Sequence, residues 1–236
     1  MRRLPTPMLL PYLLAATFTA SMASAKCAGQ WAYSPHETTT PSGWLLVNGN
    51  TYEGSFKELA TRTPRVVSGN HSVDLTVHAV HQGQFRLTQI VFKPSEPLRV
   101  GQTYKFDSKK NPLDRLSWKV VAASGGQPQF AGAPTLESTD RTRFGCGPAV
   151  EATIKVPTTG QTLGFLVELR PAGDRKAGQR FLLTSTDGKI RVGHGMCSGA
   201  YRMTKGERYE LRVINLVSAT GTTTPGPNRT VTFTAP

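Results

Sequence analysis

The sequence predicts an all-β chain folded as two β-sandwiches in tandem. Short alternations of apolar and polar residues with a period of two recur along it. Turn clusters rich in Gly, Pro, Asn and Asp separate them. No stretch of ten residues follows a 3.6-residue apolar period, and 53–62 is the one short helical candidate. An internal repeat divides the chain. Val100-Gly-Gln-Thr-Tyr-Lys-Phe106 parallels Lys205-Gly-Glu-Arg-Tyr-Glu-Leu211: a Gly turn, two polar residues, Tyr, a charge, an apolar or aromatic residue. Such a repeat points to two related sandwich domains.

Residues 1–25 read as a signal peptide. Arg2 and Arg3 precede an apolar run over 8–19, and Met22-Ala-Ser-Ala25 is a small-residue cleavage site. The apolar run is shorter than the roughly 20 residues a membrane span needs, so a chain that does not cross a membrane is expected. Lys26, not a small residue, precedes Cys27, which argues against a lipid anchor. A secreted or periplasmic protein is therefore expected. Residues 26–43, rich in Ser, Thr, Pro and Gly, read as an extended lead-in.

The first domain is expected over 44–122. It opens with a strand at 44–47, a tight turn at Asn48-Gly49-Asn50, and a short return over 51–56. Another short strand is expected at 65–68. Val73-Asp-Leu-Thr-Val-His-Ala-Val80 alternates cleanly, His81-Gln-Gly83 turns, and 84–92 returns as the second arm of a hairpin. Residues 116–122 close the domain with Trp118 inward.

Between hairpin and closing strand lies Pro94-Ser-Glu-Pro-Leu-Arg-Val-Gly-Gln-Thr-Tyr-Lys-Phe106. This Pro-x-x-Pro-Leu-x-x-Gly-x-x-Tyr-x-Phe run resembles a late-strand signature of bacterial immunoglobulin-like domains. The resemblance implies two tandem immunoglobulin-like β-sandwich domains, the tyrosine strand packing its aromatic in the core. The same region is similar to CopC-type periplasmic copper carriers. Those use an N-terminal histidine, where this chain has Lys26 after the expected cut.

Residues 123–140, with Ser124-Gly-Gly-Gln-Pro128 and Ala131-Gly-Ala-Pro134, read as a linker. The second domain is expected over 141–236. Its strands are expected at 149–156, 163–169, 180–184, 189–192, 200–203, 209–216 and 230–234, with a turn at Thr186-Asp-Gly188.

The densest chemistry lies in Gly193-His-Gly-Met-Cys-Ser-Gly-Ala200. Three cysteines in an exported chain suggest one disulfide and one remaining thiol. Of the three possible pairings the expected one is Cys146–Cys197, since both lie in the same patterned region; Cys27, at the frayed mature N-terminus, is left free, pairs between molecules, or replaces one partner of that bridge. The alternative is a soft metal site of His194, Met196 and Cys197, whose sulfur ligands favour copper(I). His78 and His81 flank a turn and also stand within reach of a single ion. A Cys197–His194 nucleophile pair is disfavoured, since residues three apart on a strand point to opposite faces. There is no Gly-x-Ser-x-Gly, and Glu151, Glu168 and Glu210 fall on different strands, so no catalytic residue is assigned.

The formal charge of +13, or +11 without Arg2 and Arg3, is scattered singly. No basic helix and no stripe of interleaved aromatics appears, so nucleic acid is not expected as a partner. The function expected is an exported non-catalytic binding or structural protein of the cell envelope, meeting anionic glycan or lipid through its basic faces, with no cofactor. A periplasmic copper-binding protein is the first alternative. An enzyme with a loop-built site is the second.

Overall fold

A computed structural model describes Cys27, residues 31–50, Phe56, and residues 59–108, 113–145 and 147–236. The chain is all-β in several sheets. Its first half forms β1 (Ala32–Tyr33), β2 (Thr38–Thr39), β3 (Leu45–Asn50), β4 (Arg65–Ser68), β5 (His71–Gln82), β6 (Leu87–Pro94), β7 (Thr103–Phe106) and β8 (Ser117–Val120). These make one sheet in the order β1-β3-β6-β5-β4-β7-β8-β2. It bends around an apolar cluster: Leu45, Val47, Ile90 and Phe92 meet Val66, Tyr104, Phe106 and Trp118. The long strand β5 contributes Val73 and Leu75 to the same cluster. Trp118 is fully buried, as expected, and its indole N–H donates to Ser34 Oγ at 2.9 Å.

The second half forms β9 (Gln129–Phe130), β10 (Thr135–Phe144), β11 (Gly147–Lys155), β12 (Thr158–Thr159), β13 (Thr162–Pro171), β14 (Gln179–Thr184), β15 (Lys189–His194), β16 (Arg208–Ser218), β17 (Thr223–Pro225) and β18 (Thr230–Thr234). β10-β11-β15 is one sheet and β14-β13-β16-β17 another, with β18 also on β16. β9 and β12 pair separately. Val150, Ala152, Ile154, Ile190 and Val192 of the smaller sheet share one core with Phe165, Val167, Leu169, Leu211 and Val213 of the larger.

A third, small cluster joins the halves. Trp44, Leu46 and Val91 pack on Leu182 and Val217, with Ala79 and Leu163 at the rim. Register explains how β5 serves two layers. The pairing shifts between Val77 and Ala79, so Val77 lies opposite Phe92 and Ala79 opposite Val91. The extra residue, His78, moves the apolar set from one face to the other.

Four expectations need correction. Asn48-Gly49-Asn50 does not turn: it is the end of β3, paired with β6 from Asn48↔Gln89 to Asn50↔Leu87. Gly49 belongs there because a Cβ would run into the Phe56 ring. The turn expected at His81-Gln-Gly83 falls later, since β5 runs through Gln82 and β6 begins at Leu87, while the lead-in carries β1 on β3 and β2 parallel to β8. The linker at 123–140 contains β9 and most of β10, which is almost wholly exposed and so shows no apolar alternation. Residues 200–203 form no strand. Within the helical candidate, Phe56 and Leu59 are helical and buried.

The repeat read from sequence recurs as geometry. Gly101 and Gly206 both take left-handed φ, +82° and +78°. Tyr104 and Tyr209 each accept, at the hydroxyl, a backbone N–H from five residues back: Arg99 at 3.1 Å and Thr204 at 2.9 Å. Each hydroxyl has a further partner, His71 Nδ1 at 2.6 Å or Glu207 Oε2 at 2.8 Å. Removing either hydroxyl orphans a backbone donor, so Tyr104→Phe and Tyr209→Phe should each cost about 1–2 kcal/mol in urea unfolding. A loss below a few tenths of a kcal/mol in both would refute the role assigned to the pair.

Candidate binding cleft

The loop after β15 is organised by a covalent bond and by hydrogen bonds from the other half. Cys197 pairs with Cys27, Cα atoms 5.3 Å apart and 170 residues apart in sequence. The expected Cys146–Cys197 bridge therefore does not form, because Cys197 is already committed; Cys146 lies outside the described residues. The turn between β5 and β6 clasps the same loop. Phe85 N–H donates to Gly199 O, Gly199 N–H to Phe85 O, and Gln84 N–H to Ala200 O, at 3.2, 2.7 and 3.0 Å. Gln84 Oε1 accepts Arg202 N–H at 2.9 Å.

Beside this clasp, a cleft of about 940 Å³ opens between the halves. One wall is Tyr33, Asn48 and Gln89 of the first half. The other is the end of β14, the outward side chains of β15, and the loop from His194 to Ala200. A smaller lobe of about 370 Å³ shares Pro35, Thr184 and Thr186 with it. Strand alternation supplies the polar lining. Ile190 and Val192 point into the core, so Lys189 and Arg191 face the cleft from the same strand.

Two amides sit side by side in the first-half wall, since Asn48 and Gln89 are register partners on β3 and β6. Gln89 is 1% exposed and Asn48 5%. Gln89 Nε2 donates to Asn48 Oδ1 and to Leu182 O, each at 3.0 Å, which fixes the amide across the junction. Gln89 Oε1 is buried with no hydrogen-bond partner among the described residues. Tyr33, 47% exposed, stacks on Trp31 with ring centres 5.8 Å apart.

Charge in the cleft is mixed. Glu137, Glu151 and Asp187 line it, against Lys189 and Arg191. Lys189 Nζ lies 2.6 Å from Glu137 Oε1. His194, nearly buried, contacts Gly195 O through Nδ1 at 2.9 Å and sets its ring edge-on to Phe85.

The other sequence candidates separate. His194 and Met196 border different cavities, and Met196 lines a third one with Phe144 and Asp140. With Cys197 disulfide-bonded, the set His194, Met196, Cys197 has lost its thiolate. His78 packs on the Trp44 ring, centres 4.4 Å apart, while His81 approaches Phe181. Glu168 and Glu210 are each engaged by arginine, Arg180 and Arg170, both at 2.8 Å. Of the three carboxylates noted in the sequence, only Glu151 reaches the cleft. Asn48, Gln89 and Tyr33 were not anticipated. The available signal was an amide beside an apolar run in each strand, Asn48 after Leu45-Leu46-Val47 and Gln89 before Ile90-Val91-Phe92.

His36 lines the smaller lobe. Its Nε2 lies 3.3 Å from Trp44 O, where a ring N–H donates to the carbonyl and leaves Nδ1 bare and unpartnered. Burial pushes its pKa down to about 4, opposed by the Trp44 carbonyl. His81 is also lowered, first by burial and then by the neighbouring His78.

Among the described residues no helix is long and apolar enough to cross a membrane. No protein-family model and no curated protein matches the chain. Three solved structures share a distant likeness. The type I pullulanase of Bacillus subtilis strain 168, complexed with maltose, is 14% identical at a TM-score of 0.27, covering 84% of this chain and 24% of that one. The pullulanase of Anoxybacillus sp. LM18-11 complexed with maltotriose is 9% identical at 0.27, covering 83% and 25%. A further structure of the Anoxybacillus enzyme gives 10%, 0.26, 81% and 24%. This chain spans about a quarter of the length of those enzymes, and the likeness bears on no functional argument.

Two outcomes follow. Peptide mapping without reduction should recover Cys27 linked to Cys197, with alkylation at Cys146 alone; a Cys146–Cys197 peptide would overturn the pairing. The His36 pKa also gives stability a sign. Its folded value lies below the unfolded 6.5, so the unfolded chain binds a proton that the fold refuses. Stability is full above about pH 6.5 and falls by on the order of 3 kcal/mol toward pH 4. His36→Gln should flatten that fall in denaturation measured at pH 7 and pH 4.5, and equal slopes in both proteins would contradict it.

Proposed function

We propose that the chain is an exported, non-catalytic binding protein of the cell envelope whose ligand sits in the cleft between two immunoglobulin-like halves. The observation that carries this reading is the cleft itself. Its volume of about 940 Å³ lies within the range of small-ligand sites, and such sites favour junctions between packed units. The walls are held in place by the apolar junction, the Gln89–Leu182 bond and the Cys27–Cys197 bridge, so little ordering is left to be done on binding.

The matched tyrosines support the immunoglobulin-like kinship, since a tyrosine hydroxyl turned back to upstream backbone is a feature of that sandwich. The disulfide fits an oxidising, exported setting. Anionic envelope material would meet the outer faces instead of the cleft, where charges nearly balance; Lys105 and Lys119, for example, are exposed on β7 and β8.

Hydrogen exchange tests the reading with defined probes: neutral oligosaccharides, a sulfated polysaccharide, vesicles rich in anionic lipid, and short peptides. A cleft ligand should slow exchange at Lys189–His194 and at Asn48 and Gln89. Protection confined to the outer faces, with the cleft unchanged by every probe, would sink it.

A further inference from the structure

Resting on the cleft as the binding site, we propose that its ligand is a neutral, hydroxyl-rich molecule, a segment of an uncharged oligosaccharide. The argument runs through the chemistry of the walls.

Charge in the cleft does not favour an anion. Three carboxylates, Glu137, Glu151 and Asp187, face two cations, and Lys189 is already held by Glu137. A phosphate or sulfate entering there meets more negative than positive charge. A cation finds no cage either: no cluster of three or more His, Cys, Asp or Glu suited to a metal occurs among the described residues.

Along β15, backbone pairing disfavours an extended peptide. A peptide would add to the free edge of β15. That edge is largely spoken for. Lys189 exchanges both backbone hydrogen bonds with Thr186, and Gly193 O accepts Tyr201 N–H at 3.1 Å. Only the register position of Arg191 lies between them, too short a run to hold a strand.

What remains is rich in small neutral hydrogen-bonding groups. Asn48, Gln89, Ser138, Thr153, Thr184 and Ser198 line the space. Hydroxyls both donate and accept, so they suit a wall where amides, alcohols and carboxylates mix. Gln89 keeps that wall in place: its Nε2 donates to Asn48 Oδ1 and to Leu182 O, so the amide stays fixed whatever occupies the cleft.

Two further features fit a chain of rings. Tyr33 is exposed at the cleft and backed by Trp31, which gives a rigid aromatic face on which the C–H side of a sugar ring can lie. The cleft's volume of about 940 Å³ has room for more than a single ring, and the smaller lobe adjoins it at Pro35, Thr184 and Thr186.

The experiment uses hexasaccharides of glucose, galactose and N-acetylglucosamine, a sulfated counterpart and a peptide control, read by hydrogen exchange and calorimetry. At least one neutral hexasaccharide should protect Lys189–His194, with an affinity nearly unchanged by added salt. Tyr33→Ala, at an exposed position, should weaken it roughly tenfold or more with unfolding unchanged. Cleft protection by the sulfated probe or the peptide but by no neutral sugar would overturn the ligand class and leave the cleft reading standing. No protection of the cleft by any probe would overturn both.

Discussion

From Leu87 to Phe92 strand β6 is buried on both sides, and most of the architecture follows from covering them. Ile90 and Phe92 point into the first-half core, while Gln89 and Val91 point at the second half. A strand buried on both faces needs a second layer to pack on it. Leu182 and Val217 provide that layer, so the second half is packed against the first and not merely strung behind it. The bulge at His78 is part of the same solution, because it lets β5 feed Val77 to one layer and Ala79 to the other. Pairing Gln89 Nε2 with Asn48 and Leu182 offsets part of the cost of burying polar groups in such a junction.

The junction is also where the covalent constraint falls. Cys27 stands before β1 and Cys197 after β15, so the bridge ties an edge of the first half to a loop of the second. In the chain-entropy picture a loop of this length restricts the unfolded state by about 5 kcal/mol. Together with the backbone exchange between Phe85 and Gly199, it fixes the loop that borders the cleft.

The all-β class and the strands β11, β13, β14, β16 and β18 were legible from their apolar runs or the turns beside them, and the β5–β6 hairpin was legible from the alternation along β5, although its turn lies past the expected His81-Gln-Gly83. The repeated Gly-x-x-Tyr run was legible because two residues do most of its work locally. β10 was not: both of its faces are largely wet, so its sequence carries no alternation. Asn48-Gly49-Asn50 misled because turn residues there serve tertiary packing, the glycine making room for Phe56. The disulfide misled for another reason. Closure entropy grows only slowly with loop length, so nearness in sequence is poor guidance to pairing. The cleft was invisible because its walls come from residues far apart in the chain, Asn48 and Gln89 against Lys189 and Arg191.

The Cys27–Cys197 bridge has a consequence for how the protein is made. Synthesis runs from the N-terminus, so Cys27 exists long before its partner, and Cys146 is offered to it first. Nothing in the first half alone can direct the correct oxidation. The geometry that brings Cys27 to Cys197 is created only when the second sandwich has docked on β6. The native bridge is therefore a covalent record that both halves have folded and met.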